Sequence, residues 1–334
     1  MSVEPAIAVV GATGIIGSEI ITVLNERKFP CCETRLFASS DSAGEVYGVL
    51  GEEVEVEALE DASFEGIDIV FFALNSALVR EWGPAALDAG ARIIDVSGAY
   101  AMQPDAVLIA AYANAEDLKA GCKIAVSPSP GTVQLAPVLK VLQKSVGLTR
   151  VVVSSYEAVA GAGKEGLDEL WSQTRAIYTQ QEVVCEAFSH QIAFNCIPQV
   201  DVFLDNGETR AERRLADELR KVMGIDQLRV SATAVRVPVF HGLGQTVNAE
   251  TERLIPVEEL NSLLETAAGI SLRHAVTDYP TMLEAVGAGE VHVGRIRRDA
   301  SLPCGYNFWV VADGVRFGAA LNAVRMAELM AEEM

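Results

Sequence analysis

The sequence predicts an α/β protein, with an N-terminal Rossmann-type, doubly wound parallel sheet followed by a second domain of the α+β class. Three observations lead to this prediction. The apolar run from Ala6 to Val10 leads into a glycine-rich turn, short apolar runs then alternate with helix-length segments, and longer apolar runs begin at Val151. The chain has 334 residues, of which 50% are hydrophobic, so it can bury two separate cores.

The first half is predicted to alternate strands with helices. After the first strand, residues 18–27 predict a helix that opens at the glycine turn. Because helical crossovers cover both faces of a parallel sheet, its strands are apolar without a period of two. This half ends near Ser127-Pro128-Ser129-Pro130. The other elements predicted here are the strands 33–38, 67–73, 92–96 and 122–126 and the helix 79–89.

The second half is predicted to contain an antiparallel sheet with helices. Its predicted strands are 151–156, 191–198, 230–240 and 306–311, and its predicted helices are 164–178, 211–223 and 256–267. The last segment, 317–334, is rich in Ala, Leu and Met, which favour helix. The mixture of longer strands and helices is typical of an α+β domain.

Charge and hydropathy exclude several functions. Asp and Glu outnumber Lys and Arg by 46 to 26, and the resulting formal charge of -20 would repel a phosphate backbone, so we expect no nucleic-acid partner. No apolar run reaches the roughly 20 residues that a membrane-spanning helix needs. Residues 1–5 lead into the first strand without the pattern of a signal peptide. We therefore expect a cytoplasmic protein with no membrane partner.

The six cysteines and four histidines show no spacing that indicates a disulfide framework or a metal site. The cysteines are scattered and include no CxxC pair, so we interpret them as reduced, mostly buried thiols. The histidines lack metal-ligand spacing, and the sequence therefore predicts no metal.

The turn Gly11-Ala12-Thr13-Gly14-Ile15-Ile16-Gly17 is typical of a dinucleotide site. The first glycine permits a tight turn, the second lets the backbone approach a pyrophosphate, and the third lets the helix pack closely on the strand. The helix N-terminus then offers N–H groups and a positive dipole to the anion. A purely structural turn in a Rossmann-like relative is the alternative. The candidate cofactor-binding residues here are Gly11, Thr13, Gly14, Ile15, Ile16 and Gly17.

The segment after the second predicted strand should contact the adenosine ribose. Ser39, Ser40 and Asp41 lie there, and an acidic residue at this place accepts a hydrogen bond from a free 2′-hydroxyl. Asp41 therefore favours NAD over NADP, whereas the two serines could still donate to a 2′-phosphate. The alternative for Asp41 is a solvated turn residue.

Longer motifs in fixed order resemble the aspartate-semialdehyde dehydrogenases over nearly the whole chain, and in particular a paralogue of the Usg type. The motifs are SSDSAG at 39–44, SYEAVAGAG at 155–163, QIAFN at 191–195, IPQVD at 197–201, RVPV at 236–239, VGRIR at 293–297 and GAALNAV at 318–324. The resemblance implies a homodimer and NADP as the family's cofactor, with Ala160 and Gly161 added to the cofactor site. It also implies a dinucleotide-binding domain at 1–130 plus 317–334, and a substrate and dimerisation domain at 131–316.

The family's reaction needs two residues that this sequence lacks. In that reaction a cysteine thiolate attacks the aldehyde, hydride passes to NADP and phosphate releases the acyl group, with a histidine as the acid–base partner. Pro130 stands at the place of the cysteine and Leu243 at the place of the histidine. Neither side chain offers a nucleophile or an ionisable proton. The resemblance therefore implies a family member without aspartate-semialdehyde dehydrogenase activity.

Other family positions also differ. Ala101 stands in place of the phosphate-binding arginine, Glu157 in place of the glutamine that orients the thioester, and Arg214 in place of a substrate-helix lysine. Asp41 replaces a basic cofactor-binding residue, but Arg236, the family's substrate arginine, is retained. An arginine on a strand can hold a carboxylate bidentately, so we expect Arg236, Glu157 and Arg214 to line a site for a small carboxylate ligand. An internal ion pair between Arg236 and Glu157 is the alternative.

Two further functions stay open. His241 precedes Leu243 by two residues and would share its face on a regular strand, so it could be a shifted base. Tyr100 and Tyr156 could donate a proton, although aromatic residues beside turns usually serve packing. One alternative function is thus an NAD(P)-dependent oxidoreductase that acts on a small carboxylate-bearing carbonyl compound without a thioester. The other is a non-catalytic structural or regulatory partner.

Overall fold

A computed structural model describes residues 4–275 and 277–333, which form two compact units. The first unit consists of the described residues up to Ser129 together with those from Gly318 onward, and the second runs from Pro130 to Phe317. Pro130 and Phe317 were predicted to belong to the first domain. Pro130 instead begins a helix that lies wholly in the second unit, and the Phe317 N–H donates to the Asp313 carbonyl of that unit. The predictions that included residues 1–3, 276 and 334 extend outside the described residues at these positions.

The described part of the chain contains seven α-helices, and their boundaries follow local signals. The Asn75 side chain accepts from the N–H groups of Ala77 and Leu78, and Thr209 forms a capping box with Glu212. The helices are α1 (Ile15–Arg27), α2 (Ser76–Asp88), α3 (Pro130–Val146), α4 (Gly163–Tyr178), α5 (Arg210–Met223), α6 (Val257–Glu265) and α7 (Asn322–Ala331). The segment Arg316–Leu321 forms a π-helical turn before α7, so the last α-helix is shorter than predicted.

The first unit contains an eight-stranded sheet in the order β3-β4-β2-β1-β5-β6-β8-β7. All neighbouring strands are parallel except β3 and β4, which form an antiparallel edge. The central strand β1 is buried along its whole length, which explains its lack of alternation. The strands are β1 (Ala6–Val10), β2 (Glu33–Ala38), β3 (Val46–Val49), β4 (Glu52–Ala58), β5 (Ile69–Phe72), β6 (Arg92–Asp95), β7 (Ala106–Leu108) and β8 (Ile124–Val126). The predicted Rossmann-type sheet is confirmed.

The second unit contains a six-stranded sheet in the order β10-β9-β11-β14-β13-β12. Its strands are β9 (Leu148–Glu157), β10 (Arg229–Arg236), β11 (Leu243–Thr251), β12 (Ile270–Leu272), β13 (Val291–Arg298) and β14 (Gly305–Ala312). Two of its pairs, β9 with β10 and β12 with β13, are parallel, so the sheet is mixed and the prediction of an antiparallel sheet was wrong. The connection from β9 to β10 contains α4 and α5, which makes a parallel crossover possible.

Two predicted strands of the second unit differ from the structure. Residues 191–198 form no strand, and among them only Ile197 pairs with one, through an isolated antiparallel bridge to Arg236. The N–H groups of Ile192 and Ala193 instead donate to the Gln173 side chain at 2.9 and 3.1 Å. The predicted strand 230–240 ends at Arg236. Pro238 has no N–H to continue the ladder, and β11, which the sequence analysis did not predict, follows shortly after.

The cysteines of the described chain are all free thiols, three of them exposed and three half-buried. The expectation that they are mostly buried was wrong. No cluster of three or more potential metal-ligating side chains occurs among residues 4–275 and 277–333. In the same residues, every helix is too short or too polar to cross a bilayer.

Candidate functional site

Three of the family positions singled out in the sequence form one row across the sheet of the second unit. Glu157, the last residue of β9, pairs in register with Arg236 on the parallel neighbour β10. On the other side it pairs with Leu243, the first residue of β11. The ends of these strands therefore bring together residues that are far apart in sequence. Hydrogen-bonded neighbours of this kind lie about 5 Å apart at their Cα atoms.

The positions expected to carry the nucleophile and the base both border Gly314. A Cβ atom built on Gly314 would lie 3.7 Å from the Cβ of Pro130 and 3.6 Å from the Cβ of Leu243. Pro130 is the first residue of α3, where proline is well tolerated because this position lacks an intrahelical N–H partner. A cysteine at the same place would have its thiolate stabilised by the helix N-terminus. The structure therefore has a proline at a position that would stabilise a thiolate.

Arg236 is almost completely buried and already has partners within its own unit. Only 6% of its surface is exposed, and its Nη1 donates to the Ala158 carbonyl at 2.6 Å. The same Nη1 lies 3.8 Å from Oε2 of Glu157, and the Ser155 hydroxyl lies 3.0 Å from Oε1 of that carboxylate. Gly161 packs against the guanidinium so closely that an added Cβ would lie 2.7 Å from Nη1. The structure thus supplies the internal ion pair that the sequence analysis left as an alternative.

Burial governs the electrostatics of this pair. Loss of water raises the pKa of the Glu157 carboxyl, while the positive charge of Arg236 and the hydrogen bond from Ser155 lower it by less. The nearby Glu212 carboxylate raises the pKa of Glu157 further. Burial also lowers the pKa of the Arg236 guanidinium, with Glu157 opposing that shift. Glu157 therefore accepts a proton more readily than an ordinary surface carboxylate does.

Arg214 belongs to a second polar cluster between α3 and α5. Its Nε donates to Oε1 of Glu218 at 2.6 Å, one helical turn later, and Glu218 is completely buried. The other carboxylate oxygen of Glu218 accepts from the Thr132 hydroxyl at 2.8 Å. These bonds give Arg214 a structural partner of its own, which the sequence analysis did not anticipate.

Two buried glutamines beside α3 were also missed in the sequence. The Gln245 amide donates to the Gly131 carbonyl at 3.1 Å and accepts from the Gln134 amide at 2.8 Å. Oε1 of Gln134 is buried without a hydrogen-bond partner among the described residues. Gln245 follows Leu243 by two residues on β11, so the period of a strand could have placed both on one face. The first turn of α3 is therefore tied to the strand that carries Leu243.

The structure does not support His241 as a shifted base on the strand. β11 begins at Leu243, and Gly242 before it has a φ of +99°, so the chain turns between the two side chains. His241 is exposed, whereas Leu243 is buried. The expectation that they share a face of a regular strand was wrong, because that expectation assumed extended backbone through the glycine.

The two tyrosines weighed as proton donors lie in packing environments. The Tyr156 ring packs against Trp309 with a centroid distance of 5.9 Å. In the first unit, the Tyr100 hydroxyl donates to the Val79 carbonyl at 3.3 Å, and burial raises the pKa of this phenol. Ala101, which the resemblance places at the family's phosphate-binding arginine, is buried beside Tyr100 and offers no donor from its side chain.

The glycine turn of the first unit has the geometry that the motif predicts. Gly11 has a φ of +86°, and an added Cβ would lie 2.5 Å from the Ala73 carbonyl oxygen. A Cβ on Gly17 would lie 2.0 Å from the Gly11 carbonyl oxygen, which shows how closely α1 packs on the turn. Gly14 is the N-cap of α1, so the first N–H groups of the helix open at the turn.

A cavity of about 390 Å³ lies beside this turn. It is lined by Gly11, Thr13, Gly14, Ala38, Ser39, Leu59, Glu60, Ala73, Leu74, Leu78, Glu81 and Trp82. Asp41 lies in the exposed 3₁₀ turn Ser40–Ser42, and that turn is held to the glycine turn by a 3.3 Å contact between the hydroxyls of Thr13 and Ser42. Three cofactor candidates of the glycine turn line the cavity, whereas Ile15 and Ile16 belong to the first turn of α1. Ala160 and Gly161 lie in the second unit, in the 3₁₀ segment Val159–Ala162.

Comparison with known proteins gives matches in both halves of the chain. Residues 6–121 match the family model described as semialdehyde dehydrogenase, NAD binding domain, and residues 139–317 match semialdehyde dehydrogenase, dimerisation domain. The aspartate-semialdehyde dehydrogenase of Aquifex aeolicus is 41% identical over 333 residues, which cover 98% of each chain. This chain belongs to the aspartate-semialdehyde dehydrogenase family. Within the family, the Bacillus subtilis enzyme is 37% identical over 332 residues, or 96% of each chain.

Solved structures of the family have the same fold. Aspartate-semialdehyde dehydrogenase II from Vibrio cholerae, complexed with ASA, superposes with a TM-score of 0.95 at 38% identity and 98% coverage of both chains. A probable aspartate-semialdehyde dehydrogenase from Pseudomonas aeruginosa gives a TM-score of 0.93 at 32% identity, again with 98% of both chains covered. These likenesses confirm the family, the NAD(P)-binding domain and the α/β architecture.

Proposed function

We propose that this member of the aspartate-semialdehyde dehydrogenase family binds NAD or NADP, with a preference for NAD, and does not catalyse the oxidation of aspartate semialdehyde. The observation that carries the proposal is the placement of Pro130 and Leu243 around Gly314. These are the places where the resemblance puts the nucleophile and the base. A saturated ring and an aliphatic side chain can neither attack a carbonyl carbon nor move a proton.

The expected loss of rate is large. Removal of a nucleophile or base from a working site costs on the order of 10³ to 10⁶ in rate, of which acid–base catalysis accounts for about 10² to 10⁴. Ala101 also removes the side chain that would hold the incoming phosphate. The retained scaffold can still orient a ligand, but orientation alone does not form a thioester.

The Arg236 site supports binding of a small carboxylate only in competition with Glu157. A ligand carboxylate would have to approach a guanidinium that already donates to Ala158 and lies 3.8 Å from Oε2 of Glu157. Protonation of Glu157 would remove the competing charge, and burial raises the pKa of this carboxyl. Arg236 and Glu157 are therefore the proposed ligand-contacting residues. Arg214 contributes to this site indirectly, because its ion pair with Glu218 belongs to the cluster that positions α5.

A second candidate function is an NAD(P)-dependent oxidoreductase that reduces or oxidises a small carboxylate-bearing carbonyl compound without a thioester. The raised pKa of Glu157 favours it, since a general acid works best with a pKa near the working pH. This candidate predicts a change in nicotinamide absorbance with some aldehyde or ketone. The first proposal predicts none with any member of such a panel.

The deciding experiment is an assay of the full-length protein with aspartate semialdehyde, phosphate and either NAD or NADP, in parallel with the Aquifex aeolicus enzyme as the active control. We expect a kcat at least about 10³-fold below that of the control. A rate in the ordinary enzymatic range of about 1 to 10³ s⁻¹ would overturn the proposal. Calorimetric titration with NAD and NADP tests the cofactor part separately, and absence of both binding signals would favour a purely structural partner.

A homodimer is the proposed assembly, supported by the match of residues 139–317 to a dimerisation domain. Sedimentation equilibrium should therefore give about twice the chain mass of 35.7 kDa. The cytoplasm is the proposed compartment, supported by six thiols that carry no disulfide in the described chain.

A further inference from the structure

Acidic residues follow two neighbouring strands at the same edge of the first sheet. β2 and β4 are parallel, and their last paired residues are Ala38 and Ala58. Each strand is followed by an acidic 3₁₀ turn, which contains Asp41 after β2 and both Glu60 and Asp61 after β4. Because the strands end in register, the two turns lie side by side at the carboxyl edge of the sheet.

Glu60 lies in the same cavity as the glycine turn. It lines the cavity of about 390 Å³ together with Ser39, Thr13 and Gly14, and Glu81 of α2 lines it as well. No Lys or Arg is among the lining residues. Glu60 is exposed, and its carboxylate has no hydrogen bond or ion pair within the described residues. Its charge is therefore available to a ligand in the cavity.

The turn that contains Glu60 affects which ligands the cavity can bind. A phosphate ester carries a charge of about −1.5 to −2 at neutral pH, and a cavity without a basic side chain offers it no counter-charge. A free ribose 2′-hydroxyl carries no charge and can donate a hydrogen bond to a carboxylate. An acidic side chain at the end of β4 would therefore favour a ribose with a free 2′-hydroxyl over one with a 2′-phosphate, as would an acidic side chain at the end of β2.

We propose that Glu60 is a second determinant of cofactor choice, which acts with Asp41 and the cavity to select a dinucleotide whose adenosine ribose has a free 2′-hydroxyl. This inference rests on the proposed binding of NAD or NADP. It adds a residue that the sequence motif did not indicate, because Glu60 is remote from the glycine turn in sequence and only the pairing of β2 with β4 brings the two turns together. Removal of one such carboxylate should change the ratio of the two affinities by about 3- to 10-fold.

The test is calorimetric titration of NAD and NADP into the full-length protein and two variants. Glu60→Gln removes the charge at the cavity, and Glu53→Gln is the matched control, since Glu53 is an exposed residue of β4 that does not line the cavity. We expect the wild type to bind NAD more tightly than NADP. Glu60→Gln should reduce that ratio by about 3- to 10-fold, while Glu53→Gln leaves it unchanged.

Adenosine monophosphate and its 2′-phosphorylated form serve as a second ligand pair, because they differ only at the ribose. The same change of ratio with this pair assigns the effect to the adenosine end. If the ratio of the NAD and NADP affinities is the same in Glu60→Gln and Glu53→Gln, the inference about Glu60 is overturned, whereas the proposed binding of NAD is not. Absence of binding by NAD and NADP alike would overturn both the inference and the proposed cofactor function. Thermal melting of each variant shows whether it has folded.

Discussion

Leu243 on β11 is the direct antiparallel partner of Glu157 on β9. Leu243, which the resemblance places where the family has its base, thus lies beside a carboxylate with a raised pKa, and that carboxylate is in turn paired with Arg236. An aliphatic side chain at this place excludes water from one side of Glu157 and strengthens the desolvation that raises its pKa. The substitutions in this row are therefore physically coupled, and variants should be tested in combination.

The first prediction concerns restoration of the missing chemistry. We expect neither Pro130→Cys alone nor Leu243→His alone to give measurable dehydrogenase activity, because a nucleophile and its base act as a unit. Together they should produce phosphate-dependent formation of NADH or NADPH from aspartate semialdehyde. Addition of Ala101→Arg and Glu157→Gln should raise the rate further. If the quadruple variant is folded but has no dehydrogenase activity, then residues other than these four also prevent the reaction.

A second prediction follows for the new thiol of Pro130→Cys. Because residue 130 begins α3, the helix N-terminus should lower the pKa of this thiol below the ordinary value of about 8.5. The pH dependence of its alkylation rate measures this pKa directly. Reaction of the wild type under the same conditions gives the background from the six native cysteines. A pKa at or above the ordinary value would contradict the predicted helix effect.

The pH dependence of stability should report the partly buried carboxyl of Glu157. Its pKa in the folded protein is raised above the unfolded value of about 4.5, so the folded state holds a proton that the unfolded state has already released. The free energy of unfolding should therefore decrease as the pH rises from the unfolded pKa through the folded one, and stay lower above it. Glu157→Gln should remove this decrease. Urea unfolding at several pH values measures it.

Glu182→Gln provides the control for that experiment, because Glu182 is an exposed residue of the second unit. Its pH profile should follow that of the wild type. If Glu157→Gln also follows the wild type, then Glu157 is not the group responsible.

Arg214 is predicted to stabilise the fold through Glu218. Arg214→Ala would remove the guanidinium partner of a completely buried carboxylate, although the Thr132 hydroxyl would still donate to it. We expect a loss of about 1.5 to 3 kcal/mol in the free energy of unfolding. Arg214→Lys keeps the charge but not the planar fork, so it should recover part of this loss. Equal stability of Arg214→Ala and the wild type would contradict the structural role.

The glycine turn can be tested at Gly17. A Cβ at this position would lie 2.0 Å from the Gly11 carbonyl oxygen, and backbone cannot yield as a flexible side chain can. Gly17→Ala should therefore cost about 1 to 3 kcal/mol of stability and abolish dinucleotide binding. Gly48→Ala is the control, since an added Cβ there meets nothing within 4 Å. Normal binding of NAD by Gly17→Ala would contradict a role of the glycine turn in cofactor binding.

Local patterns were sufficient to predict the fold class and many of its elements, but not the helix α3 or the strands β3, β4, β7, β11, β12 and β13. The glycine turn, the alternation of apolar runs with helices and the helix-forming composition of the last segment all depend on residues close together in the chain. The prediction failed where contacts between residues that are far apart in sequence determine the local structure. Residues 191–198 are β-like in composition, yet the N–H groups of Ile192 and Ala193 donate to the Gln173 side chain instead of to a strand. The parallel pairing of β9 with β10 depends on a long crossover.

The sequence by itself determined that residues 130 and 243 have no catalytic group, because that follows from the identity of each side chain. Only the tertiary structure decided that Glu157 lies between Arg236 and Leu243, and that Glu60 shares an edge with Asp41. Strand register between segments that are remote in sequence sets these neighbours, and register depends on the packing of the whole sheet. The burial that raises the pKa of Glu157 has the same origin.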